Sequence, residues 1–596
     1  MFIRPIRKKN HSGTVEERWA LVESVRTERG PRQRTVAYLG NVTDEVRRGV
    51  KDAVTGSEHQ PSLFLDDTEP EWVEVNLKSL RVERTLQFGA PWLGLTLLDM
   101  LDLPACLDKL MPAGREDISW ARMSEVLIIS RLIEPSSELY LAEHLYARTA
   151  LPDLFGIPWA KLNDDRLYRT LDHLVKHKSA LEVHLKNRAG ELFDLKYDLL
   201  LYDITSTYFE GLCKKNPQAK RGYSRDNRSD CLQVCIALVM SRDGMPLGYE
   251  VLDGNRHDVN SVEDIVNLME SRYGKADRVW VMDRGMASED NFAFLQEEDR
   301  RYIIGAPRSK LKQFEVELLS SDWMQIREGL EVKSVPSPEG KETFILCRSV
   351  QRQAKEKAMH DRCIEKIEEG LRKIEAGCAK KKQTISAVER RIGRLLERYS
   401  HAAALFKIQT SLMNDGKIVI EWKKEMQWQE WAALSEGCYL LRTNIVNWSP
   451  DDLWHAYIQL TQAEAAFRIQ KSDLKLRPIW HQKEERVQAH ILVCFLAFVL
   501  WKTLALLAKA AGLGDEPRRI WDELSQIMLV DVVVDARNGV AIRKRCVAQP
   551  TTRQAQLLQY LKLSFPRHFE TFKTNVVTQN PQKKENPNGN TLIFPL

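Results

Sequence analysis

Three acidic residues of this 596-residue chain occupy positions where a carboxylate could do chemistry. Asp203 lies in the middle of the run LLLYDITSTYF, whose apolar and β-branched residues predict a buried strand. Asp283 ends the strand-like run VWVMD, and Glu464 lies in YIQLTQAEAAFRIQK, whose spacing predicts a helix. An ionised carboxylate inside a buried strand costs several kcal/mol unless a partner compensates its charge. We therefore expect Asp203 to face a cation.

The order of the predicted elements brings the first two acids together. The chain shows strand-like runs at 198–209, 231–241, 246–255, 279–283 and 301–307, with helical patterns before each of the last two. Three strands followed by helix, strand, helix and strand is the order of the ribonuclease-H-like fold. The first and fourth strands are neighbours in that fold, so Asp203 and Asp283 are expected to lie side by side.

Two adjacent carboxylates repel each other unless a cation lies between them. Mg²⁺ suits such a site, because it is a hard ion that accepts a few carboxylates together with water and phosphate oxygens. Two such ions would activate a nucleophile and stabilise the leaving oxygen of an in-line phosphoryl displacement. Each acid also has a plainer interpretation: an aspartate at a strand end usually caps a turn, and a lone helical glutamate is usually solvated. The hypothesis depends on all three acids.

The helical pattern around Glu464 adds basic and aromatic side chains. Tyr457, Glu464 and Lys471 are spaced by seven residues, nearly two helical turns, which predicts that they share one face. Arg468 lies one turn beyond Glu464. The basic stretch continues with Lys475, Arg477 and His481. We expect these side chains to contact the phosphates of a polyanion, although a solvated, charged helix has the same composition.

Bulk properties exclude several classes of protein. The N-terminus, MFIRPIRKKNHSG, lacks the apolar region of a signal peptide, and the longest apolar run, Ile491 to Trp501, is too short to cross a bilayer. We expect that run to be a buried core helix. Ten cysteines without a CxxC pair disfavour a zinc site and favour a reducing cytoplasm. Residues 1–40 carry nine Arg or Lys and four Glu, which suits phosphate contacts or a solvated hairpin equally.

The fold expected is α/β and multidomain: a ribonuclease-H-like core, interrupted by a large insertion of strands and a long helix, and preceded by a helical domain. The expected segments are a basic hairpin-like arm (1–41), a linker (42–85), a helical domain that could bind DNA (86–196), the first part of the core (197–310), the insertion (311–445), the second part of the core with the Glu464 helix (446–510), a mixed C-terminal segment (511–575) and a disordered tail (576–596).

The insertion contains a charged helical stretch, 350–400, with apolar residues at alternating spacings of three and four. This is a heptad pattern, interrupted at Lys381. Two structures fit it: a coiled coil between two chains, or a hairpin of two helices within one chain. The hairpin, which would turn near the basic run Lys380–Lys382, is the plainer alternative and is slightly favoured.

Beyond these patterns the sequence resembles the insertion-sequence DDE transposases whose catalytic glutamate lies in a helical Tyr-x2-Arg-x3-Glu-x6-Lys (YREK) signature. That signature falls here on Tyr457, Leu460, Glu464 and Lys471. The resemblance extends to an MFIR arm at the N-terminus and to the blocks YDITSTYFEG, GYSRDNRSDCLQV and FRIQKSDLKLRPIWH. Leucine replaces arginine at position 460, which puts one phosphate contact in doubt unless Arg468 or Arg477 supplies it.

The resemblance implies a metal-dependent enzyme that cuts double-stranded DNA at the terminal inverted repeats of an insertion sequence and joins the ends to target DNA. Asp203, Asp283 and Glu464 would bind two ions of Mg²⁺ or Mn²⁺, while Tyr457 and Lys471 hold the DNA backbone. A homodimer that pairs two ends, located at the nucleoid in a bacterial cytoplasm with no membrane partner, would follow.

In related enzymes an aromatic residue of the insertion stacks on a base extruded from the DNA end. Trp422, Trp428 and Trp431 lie among lysines in VIEWKKEMQWQEW and are candidates for that role, although an ordinary packed tryptophan is the commoner case. Two other functions stay open: a ribonuclease-H-like nuclease selective for branched DNA, and a DNA-binding repressor with a silent active site.

Overall fold

A computed structural model describes residues 2–9, 15–27, 30–40, 74–338, 340–380, 383–413, 418–537 and 541–565. The chain divides into two units. The first comprises Met1–Thr85, Met528–Thr551 and Ser564–Leu596, and the second comprises Leu86–Ile527 and Thr552–Leu563. The tail expected at 576–596 lies outside the described residues, as does most of the expected linker.

The strands, in chain order, are β1 Phe2–Lys9, β2 Val15–Thr27, β3 Gly30–Gly40, β4 Val75–Gln87, β5 Leu199–Tyr208, β6 Gln233–Ser241, β7 Pro246–Asp253, β8 Val279–Met282, β9 Arg301–Ala306, β10 Met324–Arg327, β11 Leu330–Pro336, β12 Thr343–Ser349, β13 Phe406–Leu412, β14 Ile418–Lys424, β15 Cys438–Thr443, β16 Met528–Ala536 and β17 Ala541–Val547.

The helices before β5 are Gly89–Met100, Leu103–Leu110, Trp120–Ile133, Glu138–Tyr140, Leu141–Leu145, Tyr146–Arg148, Leu151–Phe155, Trp159–Lys161, Asp164–Leu174, Val175–His177 and Lys178–Phe193. Those from β7 to β15 are Asp258–Ser261, Val262–Tyr273, Arg284–Met286, Glu289–Glu297, Arg308–Phe314, Glu315–Leu319, Val350–Lys380, Ile385–Arg398, Ser400–Ala403 and Met426–Ser435. The last are Pro450–Ile458, Thr461–Ser472, Glu484–Ala510, Pro517–Ser525 and Thr552–Tyr560.

The first unit contains two three-stranded sheets, in the orders β1-β2-β3 and β17-β16-β4. The β1-β2 and β2-β3 pairs are antiparallel, so the N-terminal arm has one more strand than a hairpin. Strand β4 corrects the expected linker, because its first eleven residues fall inside 42–85. Its partner β16 lies over 400 positions away in the sequence. A polar strand whose partner is so distant has the same local composition as a linker, so the sequence did not predict it.

The second unit is built on a nine-stranded mixed sheet with the order β10-β11-β12-β15-β9-β8-β5-β6-β7. Strands β5, β6 and β7 form an antiparallel meander, and β8 and β9 are parallel to β5. The five strand runs predicted from the sequence are confirmed. Every residue of β6 is buried, as expected for a sheet covered on both faces.

The predicted insertion is not a separate layer. Strand β15 lies near the C-terminal end of the insertion. It pairs antiparallel with β9 and with β12. Through β15 the insertion strands β12, β11 and β10 extend the same sheet. The strands of the insertion therefore share one continuous hydrogen-bonded sheet with the strands that precede the insertion.

The heptad stretch forms two helices, Val350–Lys380 and Ile385–Arg398, that pack on each other within the chain. Their seam buries Ile367, Leu371 and Ile374 against Val388 and Ile392. The apolar seam is thus covered by its own chain, as the hairpin alternative predicts.

The long helix Glu484–Ala510 is apolar and long enough to cross a membrane, but 89% of its most apolar window is buried inside the protein. The prediction of a buried core helix is confirmed, and the helix is longer than the run Ile491–Trp501 on which it rested. Its His490 ring lies 3.5 Å from the guanidinium of Arg131, in helix Trp120–Ile133. The predicted helical domain therefore shares its core with this later helix, and both belong to the second unit.

A buried glutamate in helix Trp120–Ile133 gives a pH-dependent prediction. Glu125 is fully buried and forms an ion pair with Arg122 at 3.1 Å. Burial raises the pKa of Glu125 from 4.5 to about 7, although the positive charge of Arg122 lowers it in part. The folded state then binds a proton more tightly than the unfolded state, so stability is lost as pH rises from 4.5 to about 7. In urea unfolding, we expect wild type to lose roughly 3 kcal/mol relative to Glu125→Gln between about pH 5 and pH 8. Identical pH dependence of the two proteins would contradict this.

Candidate active site

Asp203 and Asp283 lie on neighbouring parallel strands. Tyr202 of β5 is opposite Met282 of β8, so the next residue of each chain segment is one of the two acids. Asp203 is half-buried, and its Oδ1 accepts a hydrogen bond from the Ile204 backbone N–H at 2.8 Å. Burial raises the pKa of Asp203 to about 7, and the charge of Asp283 adds to the rise. The Asp283 carboxylate therefore disfavours the ionised form of Asp203, as an adjacent like charge does.

An ion pair that no sequence pattern predicted lies beside Asp203. Arg225 binds Asp258, and each side chain is a little over one-quarter exposed. The Arg225 backbone N–H donates to Ser206 Oγ at 3.2 Å, which fixes the loop on β5. The charge of Arg225 lowers the pKa of Asp203, whereas that of Asp258 raises it. The block GYSRDNRSDCLQV contains Arg225, but no spacing rule links it to Asp203.

Asp283 and Glu464 line the same cavity, which has a volume of about 420 Å³. Tyr457 and Leu460 also line it. Four arginines from four separate segments complete the lining: Arg284, Arg308, Arg327 and Arg352. At the arginine position of the YREK signature the chain has the buried Leu460, and the positive charge of the cavity comes from these four arginines instead.

The four arginines differ in their partners. Arg308 and Arg352 both bind Glu356, at 3.0 and 2.8 Å, and both stay more than two-fifths exposed. Arg327 stacks over Trp454 at 5.4 Å. Arg284 and Arg327 have no acidic partner among the described residues. Only Arg284 carried a sequence signal, because it directly follows Asp283.

The predicted single helix around Glu464 is two helices, Pro450–Ile458 and Thr461–Ser472. At the break, Leu460 N–H bonds Tyr457 O at 3.0 Å, a tighter turn than an α-helix. Thr461 Oγ1 donates to the Ile458 carbonyl at 2.8 Å, and such local side-chain bonds compete with the helical pattern. Tyr457 and Glu464 thus lie on different helices, although both face the cavity.

The described part of the chain has no group of three or more His, Cys, Asp or Glu side chains close enough to hold a metal ion. Asp203 and Asp283 are the neighbours, whereas Glu464 is exposed on the facing helix and shares the cavity with Asp283. Two adjacent carboxylates, one with a raised pKa, match the donor set of a hard divalent cation. The fit is therefore carried by the aspartate pair.

Tyr457 lies against β9. A Cβ atom placed on Gly305 would come within 2.6 Å of the Tyr457 hydroxyl and 3.0 Å of the Arg284 backbone nitrogen. Burial raises the pKa of the Tyr457 hydroxyl, and the charge of Asp283 raises it further. The hydroxyl therefore stays protonated and can donate a hydrogen bond toward the cavity.

Lys471 and Arg477, predicted to contact DNA, both bind Asp226 instead. The side chains of Asp226 and Lys471 are only 3% and 9% exposed. Burial lowers the pKa of Lys471, and the charge of Asp226 offsets part of that shift. In this structure the two cations join the helix Thr461–Ser472 and the segment after it to the loop after β5, so they have a structural role.

The other residues predicted to contact DNA are of two kinds, one buried and two exposed. His481 is 11% exposed and lies 3.4 Å from Glu138, with its ring edge-on to Tyr168 at 6.0 Å. It packs inside the helical region and faces no open surface. Arg468 and Lys475 are exposed and keep the accessibility that a DNA contact requires.

The three tryptophans of the insertion occupy different environments. Trp422 packs against the apolar cluster of the helical hairpin, and Trp431 packs against the cluster around Phe314. Trp428 is 44% exposed, with the Lys312 ammonium 5.7 Å from its ring centre. Of the three, Trp428 keeps the most accessible ring face.

Comparison with known proteins adds the following findings. The transposase DDE domain family matches residues 195–500, and the N-terminal domain of IS1634 family transposases matches residues 3–61. No curated protein matches the chain. Among solved structures, a cryo-EM structure of the piggyBac transposase synaptic complex with hairpin DNA is similar at 9% identity and a TM-score of 0.33. That similarity covers 76% of this chain and 82% of the other.

Proposed function

This chain belongs to the insertion-sequence DDE transposases, and from that premise we propose that it cuts DNA at the terminal inverted repeats of its element and joins the ends to target DNA. One observation carries the proposal: Asp283 and Glu464 line one arginine-rich cavity, and Asp203 is the strand neighbour of Asp283. Acids and cations in that arrangement suit a phosphodiester.

The core of the fold is proposed to be ribonuclease-H-like. Support comes from the strand order β7-β6-β5-β8-β9, in which an antiparallel meander is followed by two parallel strands. Helix Val262–Tyr273 lies between β7 and β8, and helix Glu289–Glu297 lies between β8 and β9. These are the crossovers that parallel strands require.

A transposase DDE domain implies dependence on a divalent metal. Asp203 and Asp283 would hold it, with Glu464 as the proposed third ligand; Mg²⁺ or Mn²⁺, two ions per site, is the proposed form. Bound there, the metal would supply Lewis-acid activation of the attacking oxygen and stabilisation of the leaving one. The rigid, buried residues around Asp203 hold its carboxylate in place.

The arginines of the cavity are proposed to orient the DNA strand. Arg284 and Arg327 lack acidic partners among the described residues, so their guanidinium groups can form bidentate bonds with phosphate oxygens. Tyr457, protonated and facing the cavity, would donate a further hydrogen bond. In this proposal the YREK signature keeps its tyrosine and glutamate roles, while the arginine role passes to these residues and Lys471 braces the fold.

The assembly and location are also proposals. Because two element ends must be paired before they are joined, we propose a homodimer on DNA, in the bacterial cytoplasm at the nucleoid. The exposed Arg468 and Lys475, and the ring of Trp428, would contribute further DNA contacts.

The testing experiment supplies the purified protein with Mg²⁺ or Mn²⁺ and linear DNA that carries the gene and both its flanks. We expect metal-dependent cuts at fixed positions in both flanks and covalent joining to a second DNA. Cutting of branched DNA regardless of the flanks would indicate a structure-selective nuclease. Salt-dependent binding without any metal-dependent cutting would indicate a silent DNA-binding protein.

Enlarging Gly305 tests the packing of the site. In Gly305→Ala, the new methyl group would displace Tyr457 and the backbone after Asp283, and cleavage is expected to fall roughly a hundredfold. Removing the hydroxyl as well, in Gly305→Ala/Tyr457→Phe, should restore part of the loss. The control is Gly393→Ala, whose Cβ would meet nothing within 4 Å. Equal cleavage rates for Gly305→Ala and wild type would refute the arrangement.

A further inference from the structure

The segment after β5 runs beside the segment that precedes the long apolar helix. Phe209 forms a parallel β-bridge with Ile479. Lys215, which is six residues further along the chain, forms another with Lys483. The Glu210 backbone N–H donates to the Ile479 carbonyl at 3.0 Å. The two segments therefore lie side by side directly after the end of β5.

The two segments, residues 209–215 and 479–483, are here called the platform, and one side chain joins them in addition to these backbone contacts. Gln482 accepts a hydrogen bond from the Cys213 backbone N–H at 2.8 Å and donates to the Glu210 carbonyl at 3.0 Å. Gly211 allows the close approach, because its φ is +102° and a Cβ there would lie 3.0 Å from the Gln482 amide nitrogen. The positions of the side chains on the platform are therefore well determined.

The outer side of the platform carries Leu212, Lys214, Lys215, Trp480 and Lys483, here called the flank surface. Leu212 and Trp480 are 71% and 69% exposed, which is high for large apolar side chains. The three lysines are exposed, and no acidic side chain of the described residues pairs with any of them. Two of them, Lys215 and Lys483, stand on directly bridged backbone positions, where like charges repel.

We propose that the flank surface binds the DNA backbone to one side of the reacting phosphate, an inference that rests on the proposed function. Unpaired lysines match phosphate oxygens, and the apolar faces of Trp480 and Leu212 match the deoxyribose rings between them. The duplex relieves the repulsion between the lysines, whereas a second copy of this surface would increase it.

The platform also fixes where the contact falls. Phe209 is six residues beyond Asp203, so at about 3.3 Å per residue the platform begins roughly 20 Å from the acid pair. A duplex that follows the direction of β5, at about 3.4 Å per base pair, would meet the platform about six base pairs from the cut bond.

The first test measures DNA affinity against salt concentration on a mixed-sequence 40-base-pair duplex, chosen as about four helical turns. The triple variant Lys214→Ala/Lys215→Ala/Lys483→Ala removes three phosphate contacts. The slope of log affinity against log salt should fall by about 2.7, with an unchanged melting temperature.

The matched control removes three exposed lysines that already have acidic partners: Lys161 with Asp117, Lys275 with Glu298 and Lys366 with Glu369. Its salt slope should equal that of wild type. A wild-type slope in the Lys214/Lys215/Lys483 variant would overturn the proposal.

The second test places a photo-crosslinking p-benzoylphenylalanine at position 480 and maps the cross-links on DNA that carries the cut site. We expect them about six base pairs from the cut, on one side only. Cross-links spread evenly along the duplex, or none at all, would overturn the proposal. Failure of the proposed function looks different: wild type would not cut the flanked DNA at all, while the salt-slope difference would persist.

Discussion

Asp203→Asn is expected to lower the rate of DNA strand cleavage by about a thousandfold or more, without destabilising the fold. The asparagine side chain has the same shape but no charge, so the pair with Asp283 can no longer hold a cation that stabilises developing charge on oxygen. Because burial disfavours the ionised Asp203, its neutral replacement should melt at the same temperature as wild type or higher. Single-turnover cleavage and thermal melting measure the two effects.

The control for this prediction makes the same chemical change at an exposed carboxylate. Asp277, which precedes β8, is 81% exposed and pairs with Arg301. The variant Asp277→Asn should therefore cleave DNA at the wild-type rate. Asp283→Asn and Glu464→Gln should lose activity as Asp203→Asn does. If Asp203→Asn keeps wild-type cleavage, the assignment of the site is wrong.

Asp226→Ala is expected to lower the free energy of unfolding by roughly 3–5 kcal/mol, the cost of leaving buried charge unpaired. Its carboxylate is the acidic partner of both Lys471 and Arg477, and Lys471 is nearly as buried as Asp226 itself. Cleavage should also fall, because Lys471 holds the helix that carries Glu464. Urea unfolding measures the first effect.

Asp230 in the same loop provides the comparison. It is 67% exposed and pairs with Arg228, so Asp230→Ala should cost no more than about 1 kcal/mol. Similar losses for Asp226→Ala and Asp230→Ala would mean that the buried ion cluster does not brace the fold.

The sequence predicted the sheet well where short-range patterns determine it. Strands β5 to β9 are apolar runs separated by clear turn and helix signals, and their order alone placed Asp203 beside Asp283. The joining of β10 to β12 onto the same sheet was not predicted, because it depends on β15, which pairs with β9 from over 130 positions away. The break before Glu464 was not predicted, because the apolar spacing continues through it and only local bonds such as that of the Thr461 hydroxyl mark it.

The environment of each basic residue could not be predicted from the sequence. Charge alone does not distinguish a lysine that faces phosphate from one that neutralises a buried aspartate, and Lys471 is of the second kind. The arginines of the cavity come from segments between Arg284 and Arg352, none of which has a periodic relation to Glu464. One of the two segments of the flank surface directly follows the predicted Lys475 and Arg477, but no pattern in the sequence indicated its exposed residues Trp480 and Lys483.

The place of β15 in the sheet has a consequence for synthesis of the protein on the ribosome. Strand β9 ends at Ala306, but β15, its neighbour on the side away from β8, begins only at Cys438. During translation β9 is therefore an open sheet edge until β15 has been synthesised. At roughly 5–20 residues per second this interval lasts on the order of 10 s, and Glu464 is synthesised later still. A nascent chain therefore carries its two aspartates on an incomplete sheet, and the competent enzyme exists only after most of the message has been read.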